Sequence, residues 1–267
     1  MTGRELRIDD VFLSPQVSAE RMDELWANGW RHQGILFFRY SHWPTEGIEH
    51  EIMPVRIALE QFEMSKSQRR VWRRNEDIRW EISPARIDQA LLEIFALHST
   101  RFHENIPQSL TDFLGSAPAT VPCECLMLKA LLNGRLVAAS FMDQGAQDVS
   151  SSYAIFDPEF SSRGLGTLTL LKEITLARGT HRRYLYHGYA TRTPSHYDYK
   201  KSFKALEAYD WVAQAWSPRE RHIIQPAKKR LRRLPTDPPV VPVPTWMTQG
   251  RRGPAPPPSL AADEGAV

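Results

Sequence analysis

The stretch that decides the fold is Phe156-Asp157-Pro158-Glu159-Phe160-Ser161-Ser162-Arg163-Gly164-Leu165-Gly166-Thr167. A β-prone run ends at Phe156, a glycine-containing turn follows, and a helical pattern begins near Gly164. Because the first N–H groups of a helix lack intrahelical acceptors, they attract anions and carbonyl oxygens. We therefore expect the turn at Gly164 and Gly166 to bind an anion or a carbonyl oxygen. The alternative is a plain tight turn in which the glycines only supply positive φ.

The pattern on both sides of this turn predicts an α+β fold. Upstream lie a helix that carries Leu91 and Ile94 on one face, a hairpin at Asn133-Gly134, and an alternating strand from Val149 to Phe156. Downstream we expect four elements: a helix from about Gly164 to Arg178, a strand at Tyr184-Leu185-Tyr186, a helix from about Ser195 to Ala208, and a last strand from Trp211 to Trp216. This order resembles that of GNAT-type acyltransferase domains.

The chain divides by composition into three parts. Residues 1–82 are interpreted as a smaller N-terminal α/β module, residues 83–216 as the GNAT-like domain, and residues 217–267 as a disordered tail. Nine of the 20 prolines lie between Pro235 and Pro258, and they follow the basic run from Lys228 to Arg233. Proline removes backbone donors and blocks helices, so the tail is expected to be extended.

Composition excludes several classes of protein. Hydrophobic residues make up 42% and charged residues 24% of the 267 residues, which is typical of soluble globular proteins. No apolar run of membrane-spanning length and no secretory signal is visible, so we expect a cytoplasmic protein without a membrane partner. Cys123 and Cys125 are too few for a disulfide framework or a four-ligand zinc site, and no metal and no cofactor are predicted.

A second stretch is rich in arginine. Gln68 is followed by four arginines, Arg69, Arg70, Arg73 and Arg74, with Trp72 among them. On a helix, these cations occupy adjoining faces and could neutralise the phosphates of an RNA. Trp72 could then stack on a base or belong to the core. The alternative is a solvated charged face without a ligand.

A third stretch is rich in tyrosine. It contains Tyr186, His187 and Tyr189, and then Tyr199 and Lys200. Polar aromatic side chains at the end of a strand suit a half-buried pocket with hydrogen-bonding tips. The alternative is the edge of a core, and His187 is interpreted as a structural histidine rather than a base.

Taken together, these stretches resemble the aminoacyl-tRNA–protein transferases, which comprise the arginyltransferases and the bacterial aspartate/glutamate leucyltransferases. The similarity extends from about Met22 to Trp216. Pro54-Val55-Arg56 and the segment from Ser67 to Arg74 are similar to the family pattern P-V-R…S-Q-R-R-x-W-x-R. Three further blocks follow in the family's order: F-D-P from Phe156, Y-L-Y-x-G-Y from Tyr184, and Y-K-x-x-F-x-x-L-E from Tyr199 to Glu207.

The chain departs from this family at its cysteines. Members carry an N-terminal cysteine cluster, including C-x-x-C-x-x-C just before P-V-R, that binds a metal or an iron–sulfur centre. The aligned positions here are Glu46, Glu49 and Ile52. Carboxylates do not replace thiolates in an iron–sulfur cluster, so the N-terminal module must be stable without that centre. Ala190 also replaces a family aromatic residue, which implies an altered aminoacyl pocket.

The resemblance implies transfer of arginine or leucine from aminoacyl-tRNA to the N-terminal amine of proteins that begin with Asp or Glu, in N-degron turnover. Catalysis then depends mainly on positioning, with N–H groups at Gly164 to Gly166 stabilising the oxyanion. Asp157, Tyr186 and Glu207 are the candidate bases. Arg56 and Lys200 are the cations expected to bind the acceptor carboxylate.

The remaining implied residues bind tRNA or substrate, and DNA is not an expected partner. They are Gln68, Arg69, Arg70, Arg73, Arg74, Gly164, Gly166, Gly188, Tyr189, Tyr199 and Phe203. Two other functions stay open. A coenzyme A–dependent GNAT N-acyltransferase would explain the turn at Gly164, and a non-catalytic tRNA- or protein-binding relative would explain the missing cysteines.

Overall fold

The structure is a computed structural model that describes residues 7–45, 48–102, 108–193 and 196–218. It contains a large mixed sheet with helices on its faces, so the predicted α+β fold class is confirmed. The helices are α1 (Ala19–Ala27), α2 (Lys66–Arg74), α3 (Gln89–Ser99), α4 (Leu110–Leu114) and α5 (Leu165–Gly179). Among the described residues, no helix combines the length and the apolar character needed to cross a membrane.

Two sheets contain all the described strands. The small sheet has the order β1-β3-β2 and comprises β1 (Asp9–Leu13), β2 (Arg31–Gln33) and β3 (Leu36–Tyr40). The large sheet has the order β12-β11-β5-β10-β9-β8-β7-β6, with β4 paired to β5. Its strands are β4 (His42–Thr45), β5 (Ile48–Ala58), β6 (Arg79–Pro84), β7 (Cys125–Leu132), β8 (Arg135–Gln144), β9 (Val149–Phe156), β10 (Tyr184–Thr191), β11 (Leu206–Asp210) and β12 (Ala215–Pro218).

The central order predicted from the sequence is confirmed through β10. The β7–β8 hairpin turns at Asn133 and Gly134, whose φ angles of 51° and 82° are both positive, as a tight two-residue hairpin turn requires. β9 follows antiparallel to β8, and a short 3₁₀ segment (Pro158–Arg163) leads into α5. The GNAT-like succession of hairpin, strand, glycine turn, helix and strand is therefore present.

α5 is held in place by apolar packing against the large sheet. Leu170, Leu171 and Ile174 of this helix are buried in one cluster with Ile57 of β5 and Leu185 of β10. Each fully buried leucine or isoleucine contributes about 1.5–3 kcal/mol relative to an exposed one. This packing fixes the direction of α5 and hence the position of its N-terminus.

The end of the predicted domain differs from expectation. The helix expected from about Ser195 to Ala208 is a 3₁₀ segment (His196–Ser202) followed by β11, and the strand expected from Trp211 to Trp216 is replaced by a turn and β12. Phe203 and Leu206 have helical spacing, but Ala205 has a φ of 54° and Leu206 pairs with Ile57. Tertiary pairing with β5 thus overrides the local pattern.

The large sheet takes strands from both sides of the predicted boundary at residues 82/83. β5 lies between β11 and β10, and β6 contains the boundary itself. The predicted N-terminal module therefore shares a sheet with the GNAT-like part. The predicted tail, residues 217–267, lies outside the described residues except for Ser217 and Pro218, which end β12.

Candidate active site

A cavity of about 490 Å³ opens where β9 and β10 separate. These parallel strands pair only at their first residues, Leu185 with Val149 and Tyr186 with Ser150. Beyond that point, Ser151 to Ala154 line one side and His187 to Tyr189 line the other. The start of α5 and the β2–β3 hairpin complete the wall. Strand separation thus creates a space in the centre of the sheet that both polar and apolar side chains line.

The N-terminus of α5 forms one end of the cavity. Gly164 adopts the left-handed conformation with a φ of 71°, and it offers no side chain to cap the helix. Gly164, Leu165, Gly166 and Thr167 all line the cavity. The first N–H groups of α5 are therefore available to a carbonyl oxygen or an anion.

The arginine-rich helix α2 packs directly against this glycine turn. A Cβ atom placed on Gly164 would lie 3.3 Å from Cγ2 of Val71. Arg74 donates from Nη1 to the carbonyl oxygen of Ser162 over 2.6 Å, and the Asn75 amide donates to the carbonyl oxygen of Arg163 over 3.0 Å. Side chains at the C-terminal end of α2 thus hold the main chain of the turn that precedes α5.

Two cations approach the opposite wall of the cavity at Gly188. A Cβ atom there would lie 3.0 Å from Nζ of Lys200 and 3.9 Å from Nη2 of Arg31. A β-bulge between Tyr186 and Gly188 leaves His187 out of register with β5 and turns it toward the cavity. The Arg31 guanidinium donates to the hydroxyl of Ser150 and the carbonyl oxygen of Ser151.

Burial dominates the electrostatics of this wall. Burial and, to a smaller extent, the nearby Arg31 charge together lower the pKa of Lys200 to about 7. Burial also holds the pKa of His187 well below its ordinary value, with smaller effects from Lys200 and Arg31, so His187 is neutral near pH 7. A negatively charged ligand between Lys200 and Arg31 would relieve this desolvation, because it favours their charged forms.

Glu173 of α5 is a further buried carboxyl group close to these cations. Burial raises its pKa to about 8. The hydroxyls of Ser151 and Ser140 oppose this rise, but neither carboxylate oxygen has a described hydrogen-bond partner of normal geometry. Glu173 is therefore mostly protonated at neutral pH and adds little negative charge to the site.

Comparisons with known proteins agree with this geometry. Residues 91–210 match the family model described as "Arginine-tRNA-protein transferase, C terminus". The aspartate/glutamate leucyltransferase of Stenotrophomonas maltophilia is 31% identical over 195 residues, which cover 68% of this chain and 74% of that protein. The enzyme of the same name from Marinobacter nauticus is 28% identical over 203 residues, which cover 74% of this chain and 84% of that protein.

The chain belongs to the aminoacyl-tRNA–protein transferase family. Members of this family transfer an amino acid from aminoacyl-tRNA to a protein. The chain is therefore an enzyme of this class, and its substrates are an aminoacyl-tRNA and a protein. Among solved structures, L-PGS from Bacillus licheniformis resembles the chain with a TM-score of 0.42 and 12% identity, over 69% of this chain and 53% of that chain.

Six of the residues predicted for this transferase meet in the cavity. They are Gly164, Gly166, Gly188, Tyr189, Tyr199 and Lys200. The Tyr189 hydroxyl donates to the carbonyl oxygen of Gly29 over 2.7 Å, so it also fixes the loop before β2. The two glycine-containing blocks of the sequence are therefore opposite walls of one site.

The candidate bases of the transferase do not line the cavity. Asp157 accepts a hydrogen bond from Arg135 over 2.5 Å and another from the N–H of Glu159 over 3.0 Å, so it holds the 3₁₀ segment in place. Tyr186 and Glu207 both contact Arg56 away from the cavity. These contacts hold structural elements together, and a role of any of the three as a base stays a prediction.

Arg56, the other cation expected to bind the acceptor carboxylate, does not line the cavity. Its Nε donates to Glu207 over 2.7 Å, and its guanidinium lies 3.6 Å from the ring centre of Tyr184 and 4.4 Å from that of Trp216. An arginine paired with a carboxylate and enclosed by aromatic rings stabilises the packing of β5 against its neighbours. The cation that lies beside Lys200 in the cavity is instead Arg31.

The predicted tRNA-binding residues of α2 have different surroundings. Gln68 is buried, and its side chain completes the capping box with Ser65; Trp72 packs against the core. Arg69 and Arg74 are exposed and donate to main-chain carbonyl oxygens. Arg70 and Arg73 are exposed and make no hydrogen bond or ion pair with other described residues. Phe203, predicted to contact substrate, is buried in the core.

The positions of the family's cysteine cluster do not fit a metal. Ile52 is buried against Tyr40 and Tyr189, and Glu49 forms an ion pair with Arg7. Glu46 lies outside the described residues. An apolar side chain and a paired carboxylate offer no thiolate, so no step of the reaction is assigned to a group bound there.

Sequence reasoning missed the contribution of the β2–β3 hairpin. Arg31, His32, Phe38 and Tyr40 line the cavity although they lie more than a hundred residues before the glycine turn. No spacing connects these residues to the later blocks. The only local signal is the pair of basic residues that follows Trp30.

Proposed function

We propose that this enzyme transfers leucine or arginine from aminoacyl-tRNA to the N-terminal amine of proteins that begin with Asp or Glu. One observation carries the proposal: a single cavity joins the uncapped N-terminus of α5 to the partly buried cations Lys200 and Arg31. The name of the similar leucyltransferases favours leucine as the donor. A cytoplasmic role in N-degron turnover is part of the same proposal.

The two ends of the cavity suit the two substrates. The aminoacyl ester places its carbonyl oxygen at the N–H groups of Leu165 to Thr167, where developing negative charge is stabilised by about 2–4 kcal/mol per well-placed donor. The Asp or Glu side chain of the acceptor binds Lys200 and Arg31. This orientation directs the acceptor's α-amine toward the ester carbon.

The reaction forms an amide bond and breaks the ester bond to the terminal ribose. The neutral amine attacks the carbonyl carbon, the tetrahedral intermediate loses an amine proton to water, and the ribose hydroxyl leaves with a proton. A free α-amine has a pKa near 8, so a useful fraction is neutral at pH 7 without a dedicated base. Holding both substrates in one cavity supplies most of the acceleration.

The exposed arginines of α2 suit the tRNA. Arg70 and Arg73 lie on the helix that packs against the glycine turn, so phosphates bound there are near the site where the ester must enter. Phosphate contacts of this kind contribute affinity that does not depend on base sequence and that falls with salt.

The test combines purified chain, leucyl-tRNA or arginyl-tRNA, and peptides that begin with Asp, Glu, Asn or acetylated Asp. We expect transfer to Asp and Glu, little to Asn, and none to the blocked peptide. Lys200→Met should lose the preference for acidic peptides and keep its affinity for aminoacyl-tRNA. Lys204→Met is the matched control, because Lys204 is exposed and paired with Glu63.

Two outcomes would contradict the proposal. The first is acetylation of a peptide by acetyl-CoA without any transfer from tRNA, which would favour the coenzyme A–dependent alternative for the turn at Gly164. The second is binding of aminoacyl-tRNA without transfer to any peptide, which would favour a non-catalytic relative.

A further inference from the structure

Three side chains with metal-binding donor atoms meet beside the cavity. They are His32 of β2, Cys123 before β7 and Asp143 of β8, and one donor atom from each lies within 4.8 Å of the others. All three are buried: the side chains of His32 and Asp143 are 8% and 4% exposed, and Cys123 is 4% exposed. His32 also lines the cavity, so the cluster adjoins the space that holds substrate.

The imidazole of His32 is held in one orientation. Its Nδ1 lies 3.0 Å from the carbonyl oxygen of Gly34, whose own N–H donates to the carbonyl oxygen of Phe113 over 3.0 Å. A histidine whose Nδ1–H bonds a main-chain carbonyl presents the lone pair of Nε2, as metal-bound histidines do. Here Nε2 faces Oδ2 of Asp143 at 2.8 Å, so either a second ring proton or a metal ion must lie between the two atoms.

The strand register places the other two donors. Asp143 is directly opposite Cys125 in the β7–β8 ladder, and Cys123 precedes Cys125 by two residues. The hydroxyl of Ser152 on β9 donates to the Asp143 carboxylate and orients it. The three donor residues come from separate segments of the chain. Pairing between strands of the sheet fixes the relative positions of these segments.

We propose that His32, Cys123 and Asp143 bind one zinc ion with a fourth coordination position open toward the cavity. An imidazole nitrogen, a thiolate and a carboxylate are the ligands that zinc takes in proteins. The thiolate and the carboxylate together neutralise the 2+ charge of the ion, which a buried site requires. This site is separate from the family's cysteine positions and does not depend on the proposed substrates.

The thiol of Cys123 is neutral in the absence of the ion. Burial raises the pKa of Cys123, and the charges of Asp143 and Glu124 raise it further. Zinc must therefore displace a proton from sulfur, as it does at other thiolate sites. The competing explanation is a metal-free ion pair between a protonated His32 and Asp143, with Cys123 as a neighbouring apolar group.

Metal content and cobalt spectroscopy distinguish these explanations without an activity assay. Zinc is measured in the full chain after purification without metal-affinity resin, and the chelated chain is titrated with Co²⁺. We expect one equivalent of zinc and a thiolate-to-cobalt charge-transfer band. Cys123→Ala should abolish the band and weaken zinc binding by at least about tenfold. Cys125→Ala, the matched control, should keep the charge-transfer band and the zinc affinity of the wild type.

The proposal is overturned if the full chain binds neither ion, if Cys123→Ala binds cobalt with the same band, or if Cys125→Ala alone loses it. Circular dichroism of each variant establishes that it folds. If Cys123→Ala does not fold, Cys123→Ser and His32→Asn are measured in the same way, and unchanged metal affinity in both would also refute the site.

Discussion

Arg74 of α2 donates a hydrogen bond to the main-chain carbonyl oxygen of Ser162 over 2.6 Å, and this bond joins the arginine-rich helix to the glycine turn before α5. Val71, one helical turn earlier, packs against Gly164 in the same contact. The element expected to bind tRNA phosphates and the element expected to hold the ester carbonyl are therefore one structural unit. A change in either should affect the other.

Gly164→Ala should reduce stability and transfer together. A φ of 71° costs an L-residue about 1–2 kcal/mol, and the added Cβ would also press on Val71. Urea denaturation measures the stability, and a leucyl-transfer assay measures the activity. Gly179→Ala is the matched control, because no atom lies within 4 Å of a Cβ placed there. Equal stability of the two variants would contradict the conclusion that the backbone at Gly164 requires glycine.

Replacing Arg70 and Arg73 together by Gln should weaken aminoacyl-tRNA binding by about tenfold or more. If each arginine contacts one phosphate, the slope of log affinity against log salt should fall by about 2. Fluorescence anisotropy at several salt concentrations measures both quantities. The control is the double replacement of the exposed Arg79 and Arg86 outside α2. An unchanged slope would remove tRNA phosphate contact from these two residues.

The preference for acidic acceptors should decrease as pH rises. The pKa of Lys200 is lowered to about 7, so its charged fraction falls from about 90% at pH 6 to about 10% at pH 8. We expect the ratio of the transfer rate for peptides that begin with Asp to the rate for those that begin with Asn to fall severalfold over this range. Both peptides have an α-amine, so its titration affects both rates and largely cancels in the ratio. Lys200→Met should show a low and flat ratio, and Lys204→Met the wild-type decrease. A flat wild-type ratio would exclude Lys200 from acceptor recognition.

Glu173→Gln should stabilise the protein more as pH rises from 5 to 8. The folded pKa of Glu173 is raised to about 8, so burial imposes no ionisation penalty at low pH but destabilises the folded state progressively as pH rises above the unfolded pKa near 4.5. By pH 7 the variant should be more stable than wild type by about 2–3 kcal/mol. Urea denaturation at several pH values tests this, with the exposed Glu60→Gln as the control. A pH-independent difference would show that Glu173 is ionised in the folded state.

Arg56→Met should destabilise the fold by about 2–4 kcal/mol without changing acceptor preference. Removal of the guanidinium leaves the partly buried Glu207 carboxylate unpaired. The double variant with Glu207→Gln should recover part of the loss. Thermal unfolding and the ratio of Asp to Asn transfer measure the two effects. If Arg56→Met folds but loses the preference for acidic peptides, Arg56 binds the acceptor carboxylate after all.

The local elements were predictable because each depends on its own residues. The Asn133-Gly134 hairpin and the turn at Gly164 require positive φ angles that these residues adopt most easily. The expected helix from Ser195 failed because Leu206 pairs with Ile57, a partner about 150 residues away that no local pattern indicates. At Gln68 one sequence position supports two interpretations: the family resemblance implies tRNA binding, and the distance of three residues from Ser65 predicts a capping box, which the structure contains.

The amino-acid sequence by itself determined the α+β fold class, the strand–turn–helix unit around Gly164 and the family to which the chain belongs. Only the tertiary structure decided which charges meet. It paired Arg56 with Glu207, placed Arg31 beside Lys200, and brought His32, Cys123 and Asp143 together. The physical reason is that backbone conformation is set by neighbours in the chain, whereas a cavity and its electrostatics arise from strands that are distant in sequence and become adjacent only when the sheet forms.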